Sequence, residues 1–494
     1  MRAQLRLIAR QSVALYALFL FPTVMWLLYA GSTDAALSRH IGATWQAGFW
    51  HVPALTNAVS RYLLDGLEWL AVGLLTWLFW LACCKMKSAD EQTARQVTMR
   101  WAFVCGLVLL AVIPFHSSDL YGYLNRGFQQ SIFHTNPYLT PIAEISGWQN
   151  EPLLHAHWEY NPCPYGFFFA RWADWLTKLS GGHFVSALFL MKLANLFFLL
   201  GTVFLIAKLA KAGKQERPWF SAFLFGANPL VLLHVMGNGH NDILMVFLLL
   251  LALACLRATR WNWLTLPILA LSVLVKYASG LAVPFVLLYA FRHRLWKVLL
   301  LGGVFTIMLG VLMALPYVEP SQPWPWAALL ENAGKPQHSI ADMLARMVYY
   351  PAKWLKVGDA KAVMQSALGV IKPLLWAGFA LFYVVQVLRV SRENRPTFAS
   401  LLAVIALVMT VMVAFVSAKF HPWYVVMFLP LVLLLPQNAW VRHFGVWFSL
   451  FQIAGFTLLQ NVHVLNVLLL TLFPLWLSFR QAPFAQTIAA QAED

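Results

Sequence analysis

The chain has 494 residues, of which 61% are hydrophobic and 11% charged, with a formal net charge of +16. That balance excludes an ordinary soluble domain, in which about a quarter of residues are charged. The basic residues are dispersed among short loops rather than gathered on one face, which argues against nucleic acid as a partner and reads as the flanking signal of membrane spans.

Apolar runs of about 17 or more residues recur from end to end, without the alternation of a membrane β-barrel, so an all-α polytopic membrane protein is predicted. Of five cysteines, Cys83, Cys84, Cys105 and Cys255 lie in or beside apolar runs and only Cys163 in a long loop. Neither a disulfide framework nor a metal–thiolate site is expected from that distribution. The first apolar run follows MRAQLRLIARQ without a small-residue cleavage site and is read as a retained span.

Length and the positive-inside rule place about 14 spans. The first covers roughly 12–30, and the segment 31–66 is then outside, with amphipathic pieces such as LTNAVSRYLLDGL. Span 67–84 returns to the basic inner loop KMKSADEQTAR, and span 100–115 exits to deliver Asp119 to the outer face. A long outer loop, 116–182, is followed by spans 183–207, 218–235 and 242–256, the last two joined by HVMGNGHND. Spans 262–276 and 278–291 meet at LVKYASG and are short enough to be broken or re-entrant. Span 297–316 leads to a second long outer loop, 317–364, and spans 366–388 and 398–417 lead to AKFHPWY. A span running to about 436, then 444–459 and 464–478, closes the bundle with the C-terminus inside.

With this topology the polar clusters share one side. Asp119, Arg126, Asn136, Glu159 and Tyr165 fall in the first large outer loop; His240, Asn241 and Asp242 form the next outer turn; Lys276 and Tyr277 the third; Lys335 and His338 the fourth; Lys419, His421, Trp423 and Tyr424 the fifth. Asp119 reads either as a helix N-cap, a role Ser117 and Ser118 could fill equally, or as a general base whose pKa desolvation would raise. HTNPY and EYNPCPYGFFF are ordinary turn chemistry that also suits stacking on sugar rings. Asp242 could cap the following span, join His240 at a metal, or contact a polar substrate, and His-x-Asp alone is weak evidence for the metal. Lys276 interrupts LSVLVKYASGLAVPF, where a charge costs roughly 2.5–3.5 kcal/mol on insertion scales. It reads as snorkelling to the surface or as a cation for a lipid phosphate, with His421 as a second donor of that kind. Lys192 and Lys372 also interrupt spans, with no assigned role.

SDLYGYLNRG, HTNPY, PYGFFFA, NPLVLLHVMGNGHND, LSVLVKYASGLAVPF, PQHSI and FHPWY occur in the order seen in a known family. Over roughly residues 100–425 the chain resembles bacterial polyprenyl-phosphate-mannose-dependent alpha-mannosyltransferases of the GT-C fold, in particular alpha-1,6-mannopyranosyltransferases. The resemblance implies an inverting glycosyltransferase in the inner (cytoplasmic) membrane, with its site on the extracytoplasmic face. Two N-terminal spans (1–99) would precede a catalytic GT-C-like module (100–291) and a C-terminal helical module (292–494).

It implies a polyprenyl-phosphate sugar as donor, a glycan or glycolipid as acceptor and membrane lipids as surroundings; no cofactor is expected, and the missing Asp-x-Asp of metal-using members argues against a metal without closing the question. Asp119 is the implied base. Lys276, His421 and Arg126 would face the donor phosphate, and His240, Asn241, Asp242, Glu159, Tyr165, Asn136 and Tyr424 the sugar or acceptor. The chain departs from the family where relatives often have YGP, carrying Tyr165-Gly166-Phe167, and it lacks an Asp-x-Asp after Asp119. Two rivals remain: a flippase or transporter of lipid-linked glycan, which needs polar residues lining a route through the bilayer, and a ligase or polymerase of preassembled glycan.

Overall fold

The structure, a computed structural model, describes residues 1–21, 23–24, 58–154, 159–319, 335–356, 358–454 and 462–481. The outer half of the first expected span, most of 31–66 and the C-terminal tail lie outside the described residues. Every regular element among the described residues is helical, and six helices are long and apolar enough to cross a membrane. A bent pair, Pro218–Gly226 with Pro229–Gly237, makes a seventh if counted as one span. The chain is therefore an all-helical polytopic membrane protein.

The expected spans are not all helices of full length; the one expected over 218–235 is bent by 46° between its two halves. The elements that position the site are α1 (Arg2–Leu18), α2 (Ala58–Met86), α3 (Glu91–Leu110), α4 (Asp119–Ser131), α5 (Phe167–Leu179), α6 (Phe184–Ala212), α7 (Pro218–Gly226), α8 (Asp242–Arg257) and α9 (Thr265–Val275). The short pair expected around LVKYASG is present as α9 and Val283–Arg292. The segment after His421 is a 3-10 stretch, Pro422–Met427, and a four-residue helix, Leu429–Val432. Pro422 and Pro430 supply no backbone N–H there, so a continuous helix is not available. The loop helices α4 and α5 are amphipathic, as expected: α4 buries Leu120, Tyr123, Leu124 and Phe128, and α5 buries Phe169, Ala170, Ala173 and Leu176.

Lys192 finds a role. It is wholly buried on α6 and donates to the Leu109 carbonyl at 2.8 Å and to that of Val112. A helix end leaves its last carbonyls without intrahelical donors, and Lys192 supplies them at the end of α3. The chain then leaves the helix just before Asp119. Two backbone N–H groups of that exit, Phe115 and His116, donate to Asn238 Oδ1 at 2.8 and 2.7 Å. The His116 ring pairs with Glu68 on α2. Asp119 is thus aimed from α2, α6 and the loop before α8 together.

Candidate active site

Asp119 is the first residue of α4. Ser118 occupies the N-cap position without a side-chain cap bond, and Ser117 Oγ accepts from the Asp119 N–H at 3.2 Å. The serine takes the local bond, so the Asp119 carboxylate is not spent on capping. Its side chain is one-fifth exposed, and Oδ2 lies 3.4 Å from Nδ1 of the wholly buried His240.

His240 sits after a turn that favours a glycine: Gly239 has φ +76, and a Cβ there would meet the Leu120 side chain at 2.6 Å. The His240 ring stacks on Trp423 at 4.0 Å, and Trp423 stacks on His421 at 4.3 Å. Tyr424 meets His421 edge-on at 5.4 Å and carries the Lys276 ammonium over its face at 4.5 Å. Lys276 Nζ in turn bonds Asp242 Oδ1 at 2.6 Å. Asn241 Oδ1 accepts from Tyr123 Oη at 3.2 Å, one turn along α4 from Asp119. Asp119, His240, Asn241, Asp242, Lys276, His421 and Tyr424 therefore converge, from four segments far apart in sequence.

Several polar atoms in this cluster are buried with no hydrogen-bond partner among the described residues: His240 Nε2, Asn241 Nδ2, Asp242 Oδ2 and His421 Nδ1. Each such atom costs about 1–3 kcal/mol. Four in one place suit a polar ligand far better than a packed core.

The electrostatics differ from the sequence expectation at Asp119. Burial pushes its carboxyl upward, but the adjoining His240 ring, with smaller contributions from His421 and Lys276, pulls harder, and the net direction is below the usual carboxylate range. The expected raised pKa is reversed because the cluster surrounds the acid with donors. For His421, burial and then Lys419 hold the imidazole well below its ordinary value. His421 is accordingly a neutral hydrogen-bond donor at pH 7, not the cation expected.

Of the remaining expected residues, Tyr165 borders the cluster, its phenol sensing Asp119 and Tyr424, while Arg126, Asn136 and Glu159 sit elsewhere in the loop. Arg126 is buried, bonded to Gln129 Oε1 at 2.9 Å and to the Asn161 carbonyl, and it fastens the loop to α4. Asn136 Oδ1 accepts from the Tyr138 N–H at 3.1 Å, an Asx turn, while its Nδ2 donates to the Tyr317 carbonyl at 3.0 Å. Glu159 accepts from the Ala143 N–H through its backbone carbonyl at 2.9 Å, and one carboxylate oxygen is buried without a hydrogen-bond partner among the described residues.

Tyr165 packs edge-on against Tyr123 at 5.2 Å, and its carbonyl accepts from Tyr138 Oη at 2.8 Å. In the Tyr165-Gly166-Phe167 turn the Gly166 N–H donates to the Val275 carbonyl, and a Cβ at Gly166 would lie 2.2 Å from the Leu274 carbonyl oxygen. The glycine lets the loop touch the end of α9, next to Lys276. Neither Lys276 nor Asp242 follows its simpler expectation, snorkelling or helix capping, because each is the other's partner.

Two contributors are more central than the sequence suggested. Trp423 is the plate between two histidines, and Asn238 ties the Asp119 exit to the His240 turn. The FHPWY and GNGHND runs contain them, but only their three-dimensional neighbours show what they do. The loop 335–339 also joins the site: the Gln337 N–H donates to the Ala418 carbonyl at 3.0 Å and the Phe420 N–H to the Gln337 carbonyl at 2.9 Å. Among the described residues no three His, Cys, Asp or Glu side chains gather as a metal-binding group.

The family described as "Alpha-(1->6)-mannopyranosyltransferase, N-terminal domain" matches residues 22–292. Alpha-(1->6)-mannopyranosyltransferase A of Mycobacterium tuberculosis is 29% identical over 255 residues, covering 49% of this chain and 48% of that protein. The protein of the same name from Corynebacterium glutamicum is 25% identical over 277 residues, covering 54% of each. The chain spans about half the length of these relatives in the matched stretch.

Proposed function

This chain belongs to the alpha-(1->6)-mannopyranosyltransferase family, and from that premise we propose that it is a GT-C-like inverting transferase moving a hexose, as the relatives' names suggest mannose, from a polyprenyl-phosphate carrier to a glycan or glycolipid acceptor. The observation that carries the reading is the partly exposed Asp119 carboxylate, set among buried polar atoms that have no hydrogen-bond partner among the described residues.

In the proposed step the acceptor hydroxyl gives its proton to Asp119 while its oxygen attacks the anomeric carbon. The bond from that carbon to the phosphate oxygen breaks, and the lipid phosphate leaves with the electron pair. A phosphate is already a fair leaving group, so its departure calls for charge stabilisation more than for an acid. Lys276 and the neutral His421 donor would supply it. Asp119, ionised at neutral pH, needs no prior deprotonation, and its modest basicity is offset by its fixed aim at the reacting oxygen. His240, Asn241 and Asp242 would hold sugar hydroxyls, catalysis proceeding through side chains without a metal. The charge bias of the loops supports an extracytoplasmic site in the inner membrane.

Purified chain supplied with polyprenyl-phosphate mannose and an envelope glycolipid should transfer the sugar. Asp119→Asn should lose about 10²–10⁴ in turnover while still binding donor; undiminished turnover would remove Asp119 from the role of base.

A further inference from the structure

The end of the bundle away from Asp119 holds a cleft whose chemistry the transfer reaction does not use. Arg2, Arg6 and Arg10 recur at four-residue spacing and so share one face of α1. Arg100 faces them from α3, and the four line a cleft of about 550 Å³ between the two helices. Arg100 lies ten residues before the end of α3, about 15 Å from it along the axis.

The arginines are not equivalent. Arg2 is engaged, 3.5 Å from Asp90 and donating to Thr93 Oγ1 at 2.6 Å. Among the described residues Arg6, Arg10 and Arg100 have no carboxylate and no hydrogen-bond partner. The wall between them is mostly apolar, with Leu5, Val104 and the buried Trp101, whose indole N–H is also without a partner, and is interrupted by Thr93 and Gln96. Orientation of a span requires only positive charge near its inner end, from lysine or arginine in any arrangement. Convergence of arginines from two helices on one apolar-walled cleft is a further property, and guanidinium forks match phosphate oxygens.

We propose that this cleft binds an anionic phospholipid, its phosphate held by Arg6, Arg10 and Arg100 and the start of its acyl chain laid against Trp101 and Val104. Basic pockets between spans take such headgroups, and a soluble anion would leave the apolar wall unused. The site is independent of the transferase reading, and its test does not measure sugar transfer.

The full chain is reconstituted in nanodiscs of phosphatidylcholine with a minor share of phosphatidylglycerol, and the lipid retained after extraction is weighed by native mass spectrometry. The wild-type protein should retain phosphatidylglycerol well above its share. Arg100→Gln alone should lower that enrichment about fivefold, and R6Q/R10Q/R100Q should abolish it, while R6K/R10K/R100K retains part of it. Should the triple variant fail to fold, Arg100→Gln and Arg10→Gln singly decide the matter. Equal enrichment in wild type and the Gln variants overturns the proposal. Release of the lipid by millimolar inorganic phosphate would assign the site to a free anion, and preferential retention of polyprenyl phosphate over phosphatidylglycerol would assign it to the carrier lipid; either result overturns the phospholipid assignment.

Discussion

The Lys276–Asp242 pair offers the sharpest test of how the site is held together. Asp242 is wholly buried, Lys276 is one-fifth exposed, and the Nζ–Oδ1 distance is 2.6 Å. The second carboxylate oxygen of Asp242 has no hydrogen-bond partner among the described residues, so Lys276→Met would strip a buried carboxylate of the one cation bonded to it there. Removing one member of a buried ion pair costs about 3–5 kcal/mol, and loss of the cation–π contact with Tyr424 adds roughly 1 kcal/mol. Asp242→Asn should cost less, about 3 kcal/mol, because Lys276 can still turn its ammonium towards water. The double variant should then sit well below the sum of the two, with a coupling of about 2–3 kcal/mol. Unfolding of the four proteins by a denaturing detergent, followed at fixed lipid content, reads the cycle directly. Additivity to within about 0.5 kcal/mol would show that the two groups do not sense each other, and the account of why a lysine interrupts an apolar run would fail.

Gly166→Ala should shift the Leu274 carbonyl, because its new Cβ would fall 2.2 Å from that oxygen; a loss of about 1–3 kcal/mol in the same unfolding assay is expected. Lys192→Met keeps the bulk but orphans the carbonyls of Leu109 and Val112, and should cost about 2–3 kcal/mol. The Asp119 carboxyl lies below its ordinary value, so the acid limb of turnover should lie below the usual carboxylate range, and a midpoint near neutrality would refute its role as base.

His338 is held down to about 4 by burial and then by His463. It stays neutral in the folded chain while the unfolded imidazole takes a proton near its usual 6.5. Its contribution to stability is therefore full above the unfolded value and declines as pH falls towards about 4. His338→Gln should flatten that slope in a pH series of unfolding measurements.

How much of this was readable from sequence depends on whether a residue's partner is near or far along the chain. Apolar run length alone identified a helical membrane protein, and the short pair flanking Lys276 was visible because LVKYASG sits between two brief runs. The one-sided gathering of polar turns also followed from orientation, and it brought Asp119, His240 and His421 into one set of candidates. Pairings were not readable. Lys276 and Asp242 are 34 residues apart, Lys192 and Leu109 are 83 apart, and Phe115 and Asn238 are 123 apart. Nothing in local periodicity encodes such bonds, so a reading of the sequence leaves Lys192 without a role, cannot see the bonds of Arg126 to Gln129 and Asn161, and gives His421 a charge that its burial removes.

Those long-range bonds also bear on which kind of protein this is. A transport route would need charged residues exposed along a path through the bilayer. Lys192, one of two charges well inside the expected spans, is instead wholly buried and bonded to two carbonyls. Its effect is to end α3 and let the chain turn out at Phe115, where Asn238 Oδ1 accepts from the buried N–H groups of Phe115 and His116. The same asparagine precedes the Gly239 turn that presents His240 to Asp119. The costly interior polar groups thus fix the relative position of the acid and its histidine, an investment that fits preorganised chemistry at one face of the bundle better than passage through it.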